Sequence, residues 1–212
     1  MTVIYGTKNP AKLSVMKKYV QALDVKGFDV IGLEEAGYGT IYEPDESGNS
    51  PLENAWIKAQ AYYDIIKKPV FSADSGLYFP EIPEELQPGV NVRRVNGVRL
   101  DDDGMIEYYS GLAARFGGKI KAVYRNGICL VTQNRTYKHD GDDIAYEGFY
   151  LSAVPRKQRV AGFPLDALSI HIASGQYYYD REISKSERLS SSLDEGFCRF
   201  FDNVGKQENW WH

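Results

Sequence analysis

The chain has 212 residues, 43% of them hydrophobic, and 29 acidic against 25 basic side chains, for a net charge of -4 at pH 7. That length can bury a sizeable core without disulfide staples, and the acidic balance argues against a general affinity for nucleic-acid backbones, which call for a basic face. No apolar run is long enough to span a bilayer, and the opening Met-Thr-Val-Ile-Tyr lacks the pattern of a secretory signal, so the expectation is a cytoplasmic protein with neither membrane nor nucleic acid as partner.

Residues 2 to 6 read as a short buried strand. Pro10 follows at a first helical position with Asn9 as its N-cap. Leu13, Met16, Val20 and Leu23 recur at helical spacing, which predicts a helix to about Leu23 with Lys17 and Lys18 facing water. A second strand is expected over residues 28 to 33. The stretch from 34 to 49 is rich in Gly and acids without periodicity, and reads as an exposed loop carrying Glu43, Asp45 and Glu46. Ser50-Pro51-Leu52-Glu53 makes a capping box, predicting a helix to about Lys67 with Trp56, Ala59, Tyr63 and Ile66 as its apolar face. Residues 69 to 73 form a brief β-like run that ends at Asp74, in front of a Ser-Gly turn. The order strand, helix, strand, helix, strand predicts an α/β layered fold with the carboxyl ends of its strands at one edge.

Residues 80 to 103 look irregular, and 105 to 116 are helical in pattern. Residues 119 to 124 and 128 to 132 flank Arg125-Asn126-Gly127, where an Asn-Gly turn predicts a hairpin; residues 144 to 154 are a further strand candidate in a mainly antiparallel extension. A last helix is expected between Leu193 and Val204, packing through Leu193, Phe197, Phe200, Phe201 and Val204. Cys129 and Cys198 lie in apolar surroundings and read as buried thiols. His139, His171 and His212 share no spacing with one another or with a Cys, so a zinc site or a Ser-His-Asp hydrolase finds little support. Any metal should be a hard, oxygen-bound one.

Three segments could carry chemistry. Thr7-Lys8-Asn9-Pro10-Ala11-Lys12, between strand and helix, would aim backbone N–H groups and the positive helix end at an anion such as a phosphate; equally, Asn9 caps the helix and the lysines are solvated. Glu53 has a sufficient job in the capping box, and Lys58 alone reads as a surface lysine. Asp74, directly after an apolar strand, must be hydrogen-bonded, metal-bound or protonated, unless it is a turn-forming Asp in Asp-Ser-Gly. An acid from residues 43 to 46 approaching it would call for a divalent cation between the two.

In series, Thr7-x-Asn9-x-x-Lys12, an acidic loop with Glu46, Glu53-Asn54-Ala55-x-x-Lys58-Ala59, Ala73-Asp74-Ser75-Gly76-Leu77, Pro88-Gly89-Val90 and Arg94 resemble the inosine triphosphate pyrophosphatase, or Ham1-like, family. A weaker match continues through Glu147-Gly148, Pro155-Arg156 and Gly162-Phe163-x-x-Asp166. The resemblance implies a single domain over 1–212, with a mixed central sheet and flanking helices in two lobes around a nucleotide-binding cleft, the second lobe roughly 105–165. It further implies a homodimer and a Mg²⁺-dependent hydrolase that cuts deaminated purine triphosphates such as ITP, dITP and XTP between the α and β phosphates. By that analogy Thr7, Asn9 and Lys12 cradle the triphosphate and Lys58 neutralises its charge. Asp45 or Glu46 holds Mg²⁺ with Asp74, which also orients or deprotonates the attacking water, and Ser75 binds phosphate through its hydroxyl or N–H. Phe163 stacks on the base and Asp166 hydrogen-bonds at the base end.

The chain departs from the family pattern twice. Ala73 stands where a second acid usually precedes Asp-Ser-Gly, and Lys185-Ser186-Glu187-Arg188 stands where the family carries a lysine followed by Ser-His-Arg. Glu accepts hydrogen bonds where His can donate one, so Lys185 and Arg188 could frame a different base. Two alternatives follow: the same reaction on a modified or pyrimidine triphosphate, and a nucleotide-binding or sensing protein that has lost catalysis.

Overall fold

A computed structural model describes residues 1–21, 23, 25–160, 162–181 and 192–211, with the side chains of 192–194 left out. In chain order the elements are β1 (Thr2–Tyr5), α1 (Pro10–Gln21), β2 (Asp29–Gly32), α2 (Pro51–Ile66), β3 (Val70–Tyr78), β4 (Arg94–Val95), β5 (Val98–Arg99), α3 (Asp102–Arg115), β6 (Lys119–Val131), β7 (Thr136–His139), β8 (Phe149–Ser152), β9 (Ser169–His171) and α4 (Ser192–Gln207). The fold is α/β, with a mixed sheet of seven strands and flanking helices. No helix among the described residues is long and apolar enough to cross a membrane.

The chain divides into two compact units; the first holds residues 1–75, 125–145 and α4, the second 76–124 and 146–181. In the first unit β1 pairs in parallel with β2 and β3, and β7 pairs antiparallel with β6. Strand alternation sorts its side chains between two helical layers. Val3, Tyr5, Phe71, Ile128 and Leu130 join Met16 and Val20 of α1 and Phe197, Phe200, Phe201 and Val204 of α4. Ile4 and Val70 face Tyr62 and Ile66 of α2, while Cys129 and Val131 face Ala55 and Ala59. In the second unit α3 packs on β8 around Tyr109, Leu112, Leu151 and Leu168.

Three sequence expectations are corrected. The Asn126-Gly127 pair makes no hairpin, since β6 runs unbroken from Lys119 to Val131. Asn126 is buried, its carboxamide bonded to the Ser75 hydroxyl and the Ile144 carbonyl, and Gly127 is needed because a Cβ there would sit 2.4 Å from the backbone N of Leu52 at the start of α2. The Asn-Gly turn occurs instead at Asn96-Gly97, both at positive φ (49° and 80°), between β4 and β5. Second, β3 does not stop at Asp74 but continues to Tyr78, so Asp-Ser-Gly is strand rather than turn. Third, the buried side of α2 falls on Ala55, Ala59, Tyr62 and Ile66, whereas Trp56 is 42% exposed with the Lys138 ammonium 3.4 Å from its ring centroid. The two small alanines let α2 approach β6 closely, and the indole ring stays at the surface under a cation.

Candidate active site

The site grows from the β1–α1 loop, the N-terminal half of α2 and the middle of β3, all within the first unit. Gly6 allows the loop to leave β1, since a Cβ there would lie 2.6 Å from both the Ser72 hydroxyl and the Tyr62 ring. Asn9 N donates to Thr7 Oγ1 at 3.1 Å, and Asn9 Oδ1 accepts from the N–H of Ala11 (2.9 Å) and Lys12 (3.3 Å). The Asn9 side chain is thus a helix cap, and two N–H groups of α1 are already satisfied by it. Lys12 extends from that first turn to place Nζ 3.5 Å from Asp74 Oδ1.

At α2, Ser50 Oγ accepts from Glu53 N at 3.2 Å, and the Glu53 carboxylate accepts from Asn49 N at 2.6 Å, one residue earlier than a standard capping box requires. Glu53 therefore organises the helix start. Asn54 and Lys58, four residues apart, share one helix face and are both buried. Asn54 Oδ1 accepts from Gly48 N at 2.8 Å, and Asn54 Nδ2 donates to Asp74 Oδ2 at 3.1 Å, so one carboxamide ties the acidic loop to β3. Lys58, whose side chain is 9% exposed rather than at the surface, pairs with Glu46. Burial lowers its ammonium pKa below the usual lysine range; Asp74 and Glu43 oppose that shift and Lys12 adds to it.

Asp74 is 8% exposed, with one oxygen on Lys12 and the other on Asn54. Asp45 is exposed on the acidic loop. Among the described residues no group of three His, Cys, Asp or Glu side chains is placed to hold a metal ion. Asp74 and Glu46 are hard oxygen donors of the kind Mg²⁺ takes when substrate phosphates and water complete its shell, so the residues fit that ion without forming a dedicated cage. Ala73 points the other way, its methyl packed against the β1, α1 and α4 cluster. The position of the absent second acid thus belongs to the core side of β3.

Ser75 also turns away from Asp74. Its hydroxyl donates to Asn126 Oδ1 at 2.6 Å, and Asn126 Nδ2 donates to the Ile144 carbonyl at 2.6 Å. The hydroxyl proton expected to serve a phosphate is committed to Asn126, which leaves only the Ser75 N–H of the two groups named for that role. The sequence marks neither Asn54 nor Asn126 as a site residue, Asn126 reading as part of a turn. The four-residue spacing of Asn54 from Lys58 was a usable signal for the first, whereas the Asn-Gly turn signature concealed the second.

Phe163 and Asp166 belong to the second unit, at a short 3₁₀ turn over Pro164–Ala167. Phe163 is 50% exposed. Asp166 keeps an open surface, yet neighbouring atoms desolvate its carboxyl enough to raise its pKa above the usual range. Before them, Asp102 accepts from Arg93 Nη2 and from Gly162 N, both at 2.8 Å. Lys185 and Arg188, with Glu187 between them, lie outside the described residues.

A model of the Ham1 family matches residues 3–167. A dITP/XTP pyrophosphatase of Bacillus subtilis (strain 168) is 36% identical over 104 residues, covering 49% of each chain. One of Treponema denticola is 51% identical over 109 residues, covering 47% of this chain and 52% of that one. The chain thus matches about half the length of these curated relatives. In fold it is similar to a HAM1 protein from Coxiella burnetii, with a TM-score of 0.72 at 18% identity over 97% of this chain and 99% of the other.

Proposed function

The chain belongs to the Ham1 family, and from that premise we propose that it is a nucleoside triphosphate pyrophosphatase, acting on deaminated purine triphosphates such as dITP, ITP and XTP to give monophosphate and pyrophosphate. The observation that carries the reading is the buried Asp74 carboxylate, held by Asn54 and faced by Lys12, together with the buried Lys58 ammonium paired with the exposed Glu46. Two ammonium groups, each paired with a carboxylate, beside the β1–α1 strand-loop-helix turn suit a polyanion whose reacting phosphorus must be approached by water.

In this reading Lys12 and Lys58 take the negative charge of the triphosphate, Lys58 with particular effect because its buried ammonium is poorly screened. Thr7 and Asn9 keep the β1–α1 loop in one shape through their mutual hydrogen bond. Asp74, aimed by Asn54, accepts a hydrogen bond from the attacking water and takes its proton as the new P–O bond forms. Mg²⁺ bound by Asp74 and Glu46, with Asp45 as the neighbouring acid, would polarise the phosphates and stabilise the leaving pyrophosphate. Phe163 and Asp166 are assigned to the base, with Lys185 and Arg188 as further base-end groups.

The test is a panel of nucleoside triphosphates with Mg²⁺, scoring pyrophosphate against orthophosphate. Pyrophosphate from ITP or XTP is expected, with Asp74→Asn reducing kcat by at least about a hundredfold. Orthophosphate as product, or an Asp74→Asn variant with intact turnover, would overturn the assignment. A best substrate with a pyrimidine base would keep the reaction and move the base preference.

A further inference from the structure

Arg93 and Asp102 flank the hairpin of β4 and β5. The Arg93 carbonyl accepts from Leu100 N at 2.8 Å, which closes the hairpin and brings Arg93 back beside the start of α3. There Arg93 Nη2 donates to Asp102 Oδ1 at 2.8 Å. With side chains 33% and 39% exposed, such a pair adds little stability by itself. It has a third member, the backbone of Gly162. Gly162 N donates to Asp102 Oδ2 at 2.8 Å and Gly162 O accepts from Arg93 Nη2 at 3.2 Å, so charged partners hold both polar groups of that residue. The carboxylate responds accordingly: the Gly162 N–H first, and Arg93 second, hold the Asp102 carboxyl below the usual range.

Residues 154–160 are exposed throughout, whereas Leu165, Ala167 and Leu168 are buried in the core that α3 and β8 share. Phe163 falls at the changeover. Its N–H donates to Val160 O at 3.0 Å across a turn in which Gly162 takes φ 84°, a conformation suited to glycine, and its own carbonyl accepts from Asp166 N at 3.3 Å. The backbone is thus fixed on both sides of a ring that is itself 50% exposed, and among the described residues no other ring stacks on it.

We propose that Asp102 and Arg93 are positioning residues for base recognition: by fixing the Gly162 backbone they set the angle at which the Phe163 ring meets a flat purine base. The proposal rests on the pyrophosphatase reading, with Phe163 as its stacking group. Stacking depends on tilt and offset, so a loosened Gly162 weakens the hold on the base and leaves the phosphate chemistry as it is.

The experiment measures steady-state kinetics of the full chain on ITP with Mg²⁺, together with inhibition by inorganic tripolyphosphate, which offers phosphates and no base. Phe163→Ala should raise KM about tenfold, the order of base–aromatic stacking. Asp102→Ala should raise KM about three- to tenfold, with kcat within about twofold of wild type and tripolyphosphate inhibition unchanged. Placed in Phe163→Ala, the same substitution should raise KM by less than about twofold, because the ring it aims is gone. Arg93→Met should act in the same direction as Asp102→Ala, and carries the test if Asp102→Ala fails a circular-dichroism check of its fold. An unchanged KM, the same factor in both backgrounds, or tripolyphosphate weakened as much as ITP overturns the proposal. Hydrogen exchange reads the free protein without substrate: the peptide carrying Gly162 and Phe163 should take up deuterium about tenfold faster in Asp102→Ala, while peptides of α2 and β3 match wild type. Unchanged uptake likewise overturns the proposal. Wild type that hydrolyses no nucleoside triphosphate overturns the pyrophosphatase reading instead, and the exchange comparison still decides whether Asp102 and Arg93 fix Gly162.

Discussion

Asn126 is bonded in a way that admits one orientation of its carboxamide. The Ile144 carbonyl can only accept, so it faces Nδ2; Oδ1 then faces Ser75, whose hydroxyl must donate. With Asn126 6% exposed and Ile144 fully buried, the Ile144 carbonyl has no water as a ready substitute. Asn126→Ala should therefore cost about 1–3 kcal/mol of stability by leaving the buried Ile144 carbonyl unpaired and releasing the Ser75 hydroxyl, measured by urea unfolding. It should also lower kcat, because Ser75 is the residue next to Asp74. Stability within about 0.5 kcal/mol of wild type would show the bridge to be dispensable. At this scale part of the candidate site was legible: Asn9 and Lys12 are marked by their place at a helix start and Asp74 by following an apolar run, whereas Lys58 alone reads as a surface lysine and enters only through the family resemblance. Asn126 was not legible, because an Asn-Gly pair has the same signature whether its glycine serves a positive φ or a close approach.

The elements that position the site depend on that close approach. Gly127 on β6 faces the backbone of Pro51 and Leu52 where α2 begins, and a Cβ would stand 2.4 to 2.7 Å from their atoms. Backbone cannot rotate aside as a side-chain tip can, so Gly127→Ala must push the first turn of α2 outward. The expected cost is about 1–3 kcal/mol, typical of overpacking, and with it a loss of activity larger than the stability change alone explains, since Asn54 and Lys58 move with the helix. A melting curve and a kcat measurement on the same preparation check it; a variant that is destabilised but fully active would detach α2 from the site. The start of α2 was readable from Ser50-Pro51, and its end is the left-handed Lys67 (φ 55°). Which side it buries was not, because Asn54 and Lys58 are hydrophilic residues that only the partners Asp74 and Glu46 bring inside. The full length of β3 was hidden for the same reason: Asp74 and Ser75 look like turn residues until their bonds to Asn54 and Asn126 are seen.

Across the whole chain, the last helix is tied to the middle of the sequence by its packing on β6 and by one carboxylate just beyond it. Glu208, just past α4, accepts from Tyr137 (2.7 Å), Asn134 (2.8 Å) and Thr132 (2.9 Å), gathering the turn between β6 and β7. Desolvation alone would raise its pKa, but these hydrogen bonds and the Arg135 charge outweigh it and hold Glu208 below the usual glutamate range. Tyr137, pushed up to about 12 by desolvation and by this same bond, stays a donor at every working pH. The sign follows from linkage: a depressed carboxylate contributes stability that is fully present above its unfolded value, about 4.3, and is lost as pH falls through its lower folded value. Glu208→Gln keeps the shape of the side chain, yet sets an NH₂ group among donors. Being partly exposed, the carboxylate is worth about 1 kcal/mol here, which for a chain of this size shifts the melting temperature by about 2–4 °C. Thermal unfolding of wild type and Glu208→Gln from pH 7 down to pH 3 should show that gap narrowing as acid titrates the wild-type carboxylate. A gap that stays constant with pH would mean that the side chain acts through its packing and not through its charge.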